Sequence, residues 1–518
     1  MRKLESLNER VGHLCYIRAV LFSSFKLSTN LLTLRGIFMK KTVIAAGVVV
    51  ALAGAVTSAA WFTGQKAEAQ LQHVIELNNQ IAQKQLTGTD LTLNVENMRF
   101  ERGVFSSDTQ YEVVLADKKQ NREIARVPFT GKLFHGPLPL NQLQKFNFKP
   151  LMFSLESNAE EIKVAAAQIA GLESVEIKNL ISTTNVDYVT NGTVSATIEQ
   201  ILVGLEDDGQ DMQKDLLITL KDSKVDGTFD KDGNTSAKTH FASLQVEDRS
   251  PARNKAVLTN VDSDINFATI EGWENLFNGK LSVKAESIEI SDALTNKEGS
   301  LIMTGLKGSF SGEKNGEFVD INSDFSWDKV GKSFDKLIDV KFQSALKFAH
   351  IDGAALNELI AIYNIDGQLN ERGGALFKAI QQKQLQVVFD AELSNSQGKN
   401  NLAIDFTSSN SAVNKGKLLA IEKFKANASI DKQAAQSIFA DWQVMFGDLN
   451  LDAENAKRMA ADAIANYVQQ GILVDGEKTA TAKLELKEGE FFLNDTQKIP
   501  EDQLMLVIFL VFMGMGMH

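Results

Sequence analysis

The chain has 518 residues, 44% hydrophobic and 23% charged, with a formal net charge of -12. Those values place it among globular proteins with ample core material, and the acidic balance excludes the basic footprint of a nucleic-acid binder. A single cysteine, Cys15, excludes a disulfide framework and a thiolate metal site.

Residues 1–38 show no clean period and read as an upstream extension. At Met39 a second start begins, with Lys40, Lys41 and an apolar run from Thr42 to Phe62. Residues 39–64 therefore read as a signal anchor, a transmembrane helix with a basic end and interfacial aromatics. The run is long enough to cross a hydrocarbon core of about 30 Å. Ser58, Ala59 and Ala60 suit cleavage, whereas Trp61 and Phe62 suit the aromatic belt of a retained anchor, and retention is the expectation. The positive-inside rule then puts the bulk of the chain in the periplasm of a bacterium, with the inner membrane as its first partner. Six Lys/Arg and two Asp/Glu fall in residues 1–38, so the chain from Met39 carries about -16.

Residues 65–88 follow a helical period, with Leu71, Val74, Ile75, Ile81 and Ala82 at spacings of three and four, and read as a stalk. From residue 89 to 350 the period is two. Leu91, Leu93 and Val95 share one face, and Thr92, Asn94 and Glu96 the other, as in a strand dry on one side and wet on the other. Asn191-Gly192, Asp226-Gly227, Asp232-Gly233, Asn278-Gly279 and Asn315-Gly316 carry hairpin-turn chemistry. Only six prolines occur, and Pro128, Pro137, Pro139 and Pro150 cluster together, which leaves the middle of the chain free for long ladders.

Residues 351–500 read as strand–helix repeats, in which an alternating strand, Ile-Asp and an apolar helix occur twice, followed by a closing hairpin. Asp352 and Asp431 stand where N-caps stand, each before an Ala-containing apolar helix. In the second, Ala435, Ile438, Trp442 and Met445 form one apolar face, and Gly447 suits the C′ position. A third helix runs from about Asp452 to Gly471. A hairpin at Asp475-Gly476 closes the region, with Ala482, Leu484 and Leu486 in alternation. Residues 501–518 are a hydrophobic tail, apolar without break from Leu504 to Met513. The fold class is α+β and β-rich: a long antiparallel twisted sheet, a meander, with a few late helices. The sheet from about Leu91 to Phe348 is expected to carry an apolar concave face that those helices are too few to cover.

Two short motifs stand out near the start of the sheet, "RGVFSS" (Arg102 to Ser107) and "HGP" (His135 to Pro137). With the lysine-led anchor and the closing "YVQQGILVDGEKTATAKLELKEGEFFLND", their order and spacing resemble the YdgA-like bacterial envelope proteins over about residues 39–500. That family is one of unknown function, and the resemblance implies an inner-membrane or periplasmic β-rich protein without an established reaction.

Ser106, His135 and Asp108 are the residue types of a nucleophilic triad, but no Gly-x-Ser-x-Gly elbow or oxyanion-hole glycine cluster accompanies the serine. The motif residues are read as structural. Arg102-Gly103 turns the chain, Phe105 enters the core, and the Ser106 and Ser107 hydroxyls bond nearby backbone. His135, Gly136 and Pro137 form a rigid turn at the end of the next strand. The histidines lack ligand spacing. The stretch "DKDGN" (Asp230 to Asn234) lacks the glycine and glutamate positions of a calcium loop. No cofactor is expected. The leading functional reading is a non-enzymatic, membrane-anchored periplasmic β-groove protein that binds or bridges acyl chains of lipid. A scaffold for an envelope protein partner is second, and a hydrolase using Ser106 and His135 third.

Overall fold

The computed structural model describes residues 91–500, apart from 118–121, 170–171, 190, 206–215, 231–233, 250–253, 292–299, 333–336, 367–370, 410–420 and 447–450. The expected anchor, stalk and hydrophobic tail lie outside these residues, as does Gly447. Among the described residues no helix is long and apolar enough to cross a membrane.

The first half is strand after strand: β1 (Leu91–Arg102), β2 (Ser106–Asp117), β3 (Arg122–His135), β4 (Phe153–Ile169), β5 (Leu172–Val186), β6 (Gly192–Leu205) and β7 (Leu216–Phe229). Five more continue the run, β8 (Thr235–Asp248), β9 (Lys255–Ile270), β10 (Trp273–Ser291), β11 (Leu301–Asn315) and β12 (Phe318–Trp327). Then come β13 (Lys329–Lys332), β14 (Lys341–Asp352), β15 (Gln386–Asn395), β16 (Gly398–Ser408) and β17 (Ile421–Asp431). The closing strands are β18 (Val474–Asp475), β19 (Thr479–Lys487), β20 (Glu490–Leu493) and β21 (Gln497–Ile499). The described helices are α1 (Leu140–Leu143), α2 (Gly353–Asp366), α3 (Glu371–Gln382), α4 (Lys432–Phe446) and α5 (Ala453–Gln469).

All these strands belong to one sheet. From β1 to β12 each strand pairs antiparallel with the one before it. The short β13 returns to β11. β14 then takes the free side of β12, and β15, β16, β17, β19, β20 and β21 follow in order. The expected meander is thus present, and it reaches past residue 350 to the end of the described chain. On its wet face Arg126 joins three strands, bonding Glu96 at 3.3 Å, Glu112 at 2.6 Å and Glu123 at 2.6 Å.

The N-caps act as expected. Asp352 accepts from the Ala355 amide and Asp431 from the Ala434 amide, each at 2.9 Å, and Asp452 caps α5 through Asn455 N at 2.8 Å. α4 and α5 pair with each other, and α4 packs on β15 to β17. Ala435, Ile464 and Leu473 there join Leu402, Ala428 and Ile430 in one cluster. Trp442, expected on the buried side of α4, lies instead at its exposed edge. The helix α3 has no counterpart in the sequence reading.

Two expected turns are strand interior. Asp226-Gly227 lies within β7 and Asn278-Gly279 within β10. The β9–β10 hairpin turns instead at Gly272, with φ +81°. Gly279 has φ +154° and stands against the Asn266 carbonyl, which leaves no room for a Cβ. Asn315-Gly316 does turn β11 into β12, with Gly316 at φ +65°.

A straight line of irregularities crosses the sheet. Pairing steps over Asn179 in β5, Asp222 in β7, Asn260 in β9 and Gly305 in β11, and all four have φ between 46° and 68°. Asn, Asp and Gly tolerate this left-handed conformation best. The residues between them on the same line include Glu199 and Glu286, which accept from the Asn179 and Asn260 side-chain amides. At the line the alternation slips by one residue. β5 buries Val175 and Ile177, then Leu180 and Ser182; β6 buries Ala196 and Ile198, then Ile201 and Val203. Because the slips are aligned, the apolar set stays on one side of the whole sheet.

Candidate functional site

The sequence motifs come together at one end of the sheet. In a meander the connections β1–β2, β3–β4 and β5–β6 share an end, and hydrogen bonds knit them. The His135 amide donates to the Phe105 carbonyl at 3.2 Å, and the Met152 amide to the Val186 carbonyl at 2.7 Å. Gly103 N donates to the Ser106 carbonyl at 2.9 Å. A Cβ on Gly103 would strike that carbonyl oxygen, so close approach explains this glycine. Gly136 has φ +101° with open space around it, so it serves backbone conformation. Pro137 follows, its carbonyl accepting from the Leu151 amide at 3.1 Å.

The serine that meets His135 is Ser107. Its Oγ lies 2.6 Å from His135 Nε2, across the diagonal of the β2–β3 pair, with the serine only 1% exposed. Ser106 sits on the opposite face, and Asp108 is exposed beside Lys132. A Ser106–His135–Asp108 arrangement is therefore not formed, and the serine that meets His135 is buried. Its bond is to a side chain rather than to the expected backbone, and it ties the end of β3 to β2. Phe105 does not enter the core. It is 63% exposed, because the turn carries it past the end of the sheet. The place below is taken by Phe153, fully buried directly opposite His135.

If the Ser107–His135 bond only ties two strands, Ser107→Ala should lower stability by about 1–2 kcal/mol. Ser106→Ala should stay within about 0.5 kcal/mol. Urea melts of the two variants test this, and equal losses would remove the tie.

The second feature is the dry face. Toward β1 it is a closed core, in which Tyr111 and Phe129 stack with ring centres 5.2 Å apart. Burial pushes the Tyr111 phenol well up. Farther on it opens. One register row runs from Ile265 through Leu281, Phe310, Ser323, Leu346, Phe389 and Ile404 to Ala426, Leu484 and Leu493. Its residues from β9 to β16 are half-buried, and only the last three are buried. At the usual strand spacing this stripe is about 45 Å long. Flanking rows add Phe348 and Val387 on one side and Val283 and Phe325 on the other. A trough of about 620 Å³ crosses the same strands, lined by charged groups such as Lys284, Lys307 and Glu392 together with Phe325 and Leu402. Among the described residues no group of His, Cys, Asp or Glu is placed to hold a metal ion.

Sequence reasoning missed the connection between β3 and β4. There α1 rests on buried Asn141 and Gln142, while Phe146 and Phe148 stand 84% and 65% exposed. The alternation of lysine and phenylalanine in "KFNFK" (Lys145 to Lys149) was the available signal.

A single antiparallel meander with one half-open apolar face, carrying its short motifs at one end, defines the class of protein. The chain belongs to the family described as bacterial protein of unknown function (DUF945), whose model matches residues 39–501. An uncharacterized protein of Haemophilus influenzae is 30% identical over 332 residues, which is 62% of this chain and 86% of that one. Protein YdgA of Escherichia coli is 28% identical over 340 residues, 64% of each chain. No solved structure matches.

Proposed function

We propose that the chain is a membrane-anchored, periplasmic β-groove protein of the bacterial envelope that holds lipid acyl chains along its apolar stripe, without catalysing a reaction. The observation that carries this reading is the stripe itself, apolar across nearly every strand from β9 to β16 and only half-buried, with Phe389 and Ile404 at its far end packed against the α4–α5 cluster. The described helices gather over β14 to β17 and at one end of β10 and β12. Apolar surface left in contact with water is worth about 25 cal/mol per Å² to whatever covers it. A few hundred Å² thus offers several kcal/mol, against the cost of ordering a flexible chain. The lysine-led run at 42–62 supports the anchor, and its orientation supports the periplasm.

The test is lipid extraction from the full chain purified from membranes, followed by mass spectrometry. Acyl lipids in excess of a control membrane protein are expected. Leu346→Asp with Phe389→Asp, which put charge into the stripe, should remove most of them. Lipid at control level in the unaltered chain overturns the reading. A scaffold for an envelope partner would then lead, favoured by Val444 and Met459 standing 60% and 41% exposed on α4 and α5.

A further inference from the structure

We infer that the motif end of the sheet is a membrane-contacting tip, which inserts its aromatic and aliphatic side chains into the surface of an anionic phospholipid bilayer. This goes beyond the acyl-chain groove and does not depend on it. Val104 and Phe105 in the first connection, Phe146 and Phe148 in the second, and Tyr188 and Val189 in the third are all between 54% and 85% exposed. Single exposed apolar residues are ordinary, but a group of this size on adjacent turns marks an interaction surface.

The tip is built to present these residues. Beneath it Asn141, 4% exposed, donates to Ser154 Oγ at 2.8 Å and to Glu156 at 3.0 Å. The Asn147 side chain donates to Gln142 Oε1 at 2.9 Å. This buried polar frame fixes the loop from below while its phenylalanines face out. Phe146 is held at φ +56°, a left-handed conformation that a bulky residue adopts only at a cost of order 1–3 kcal/mol. The fold bears that strain at a residue it leaves in water.

Shape and charge select the partner. The apolar groups project as separate prongs from three turns. A protein would need a pocket for each, whereas the interfacial zone of a bilayer accepts them all. Lys145 and Lys149 bracket Phe146 and Phe148, the arrangement of cation and aromatic found at membrane interfaces. Residues 136–151 contain both lysines and no Asp or Glu, in a chain of net charge -12. The lysines contact Glu156 at 3.2 Å and Asp187 at 3.9 Å, but at 58% and 64% exposure such pairs are weak and yield readily to headgroup phosphates. Farther along the same end the turns are acidic, with Asp230, Glu271, Glu313 and Glu317. The apolar prongs stand on the first three connections, and the second of these supplies the basic stretch.

The experiment uses the full chain with Cys15→Ser and one nitroxide label at Val104→Cys or Phe148→Cys, mixed with phosphatidylcholine vesicles with and without phosphatidylglycerol. A label at Ser396→Cys, on the β15–β16 turn, reports general exposure. With phosphatidylglycerol, the tip labels should become shielded from a water-soluble relaxing agent and open to oxygen, while Ser396 stays water-accessible. In a Phe105→Ser, Phe146→Ser background the shielding at position 148 should be lost with the thermal midpoint unchanged. Because depth is read at the tip, insertion of the anchor alone cannot mimic the result. Tip labels that stay water-accessible, that are shielded equally without phosphatidylglycerol, or that remain shielded in the serine background overturn the inference.

Discussion

Phe153→Ala should lower the unfolding free energy by about 3–5 kcal/mol, while Phe105→Ala, a few ångströms farther out on the same end, should change it by no more than about 0.5 kcal/mol. Phe153 is 0% exposed and packs with Leu133, Leu155 and Val186. Removing its ring deletes those contacts and leaves a cavity that paired β-strands cannot close by moving. Phe105 loses only contact with water. Chemical denaturation of both variants decides the matter, and a Phe105 loss comparable to that of Phe153 would mean that this turn folds back onto the sheet. The contrast bears on the inferred membrane contact as well as on packing, since an aromatic side chain that adds nothing to stability is free to meet something outside the fold.

Gly279→Ala should cost about 1–3 kcal/mol although it adds a single methyl group to a strand. The residue combines φ +154° with direct approach to the Asn266 carbonyl of β9, so a Cβ has neither a permitted conformation nor a place to go. The strain can be relieved only by breaking the β9–β10 ladder nearby, where pairing already shifts between Trp273 and Phe277. Gly316→Ala, at a turn with open space, meets only the conformational part of this cost. Thermal melts of the two variants should rank Gly279→Ala as the more damaging. The reverse order would show that the ladder yields easily at Gly279.

The same glycine shows where the sequence was legible. Period two announced the strands, and Asp352, Asp431 and Asp452 announced three helices, because alternation and capping act over a few residues. Asn278-Gly279 and Asp226-Gly227 have hairpin chemistry, yet each serves a strand interior, and only the neighbouring strand shows why. The aligned slips at Asn179, Asp222 and Asn260 were invisible for a related reason. Period two holds on both sides of each, and the change of phase has meaning only once the buried face is known. At the motif end the participants were visible but not their roles. The serine that bonds His135 is the one whose side chain shares its face, a distinction of one residue that depends on register.

The pairing pattern carries a consequence of its own. From β2 to β11 every strand lies beside its immediate predecessor and successor in the chain, so pairing there proceeds between neighbours in sequence. Such wiring makes the sheet quasi-one-dimensional, with cohesion arising between nearest neighbours. A hairpin gained or lost in the middle would shift later strands along and change partners only where it was gained or lost. Each such event would alter the reach of the apolar stripe by about 10 Å and return every remaining strand to the same face. Reach is therefore a property that this architecture can vary through its gene in discrete steps, while the chemistry at the motif end stays untouched.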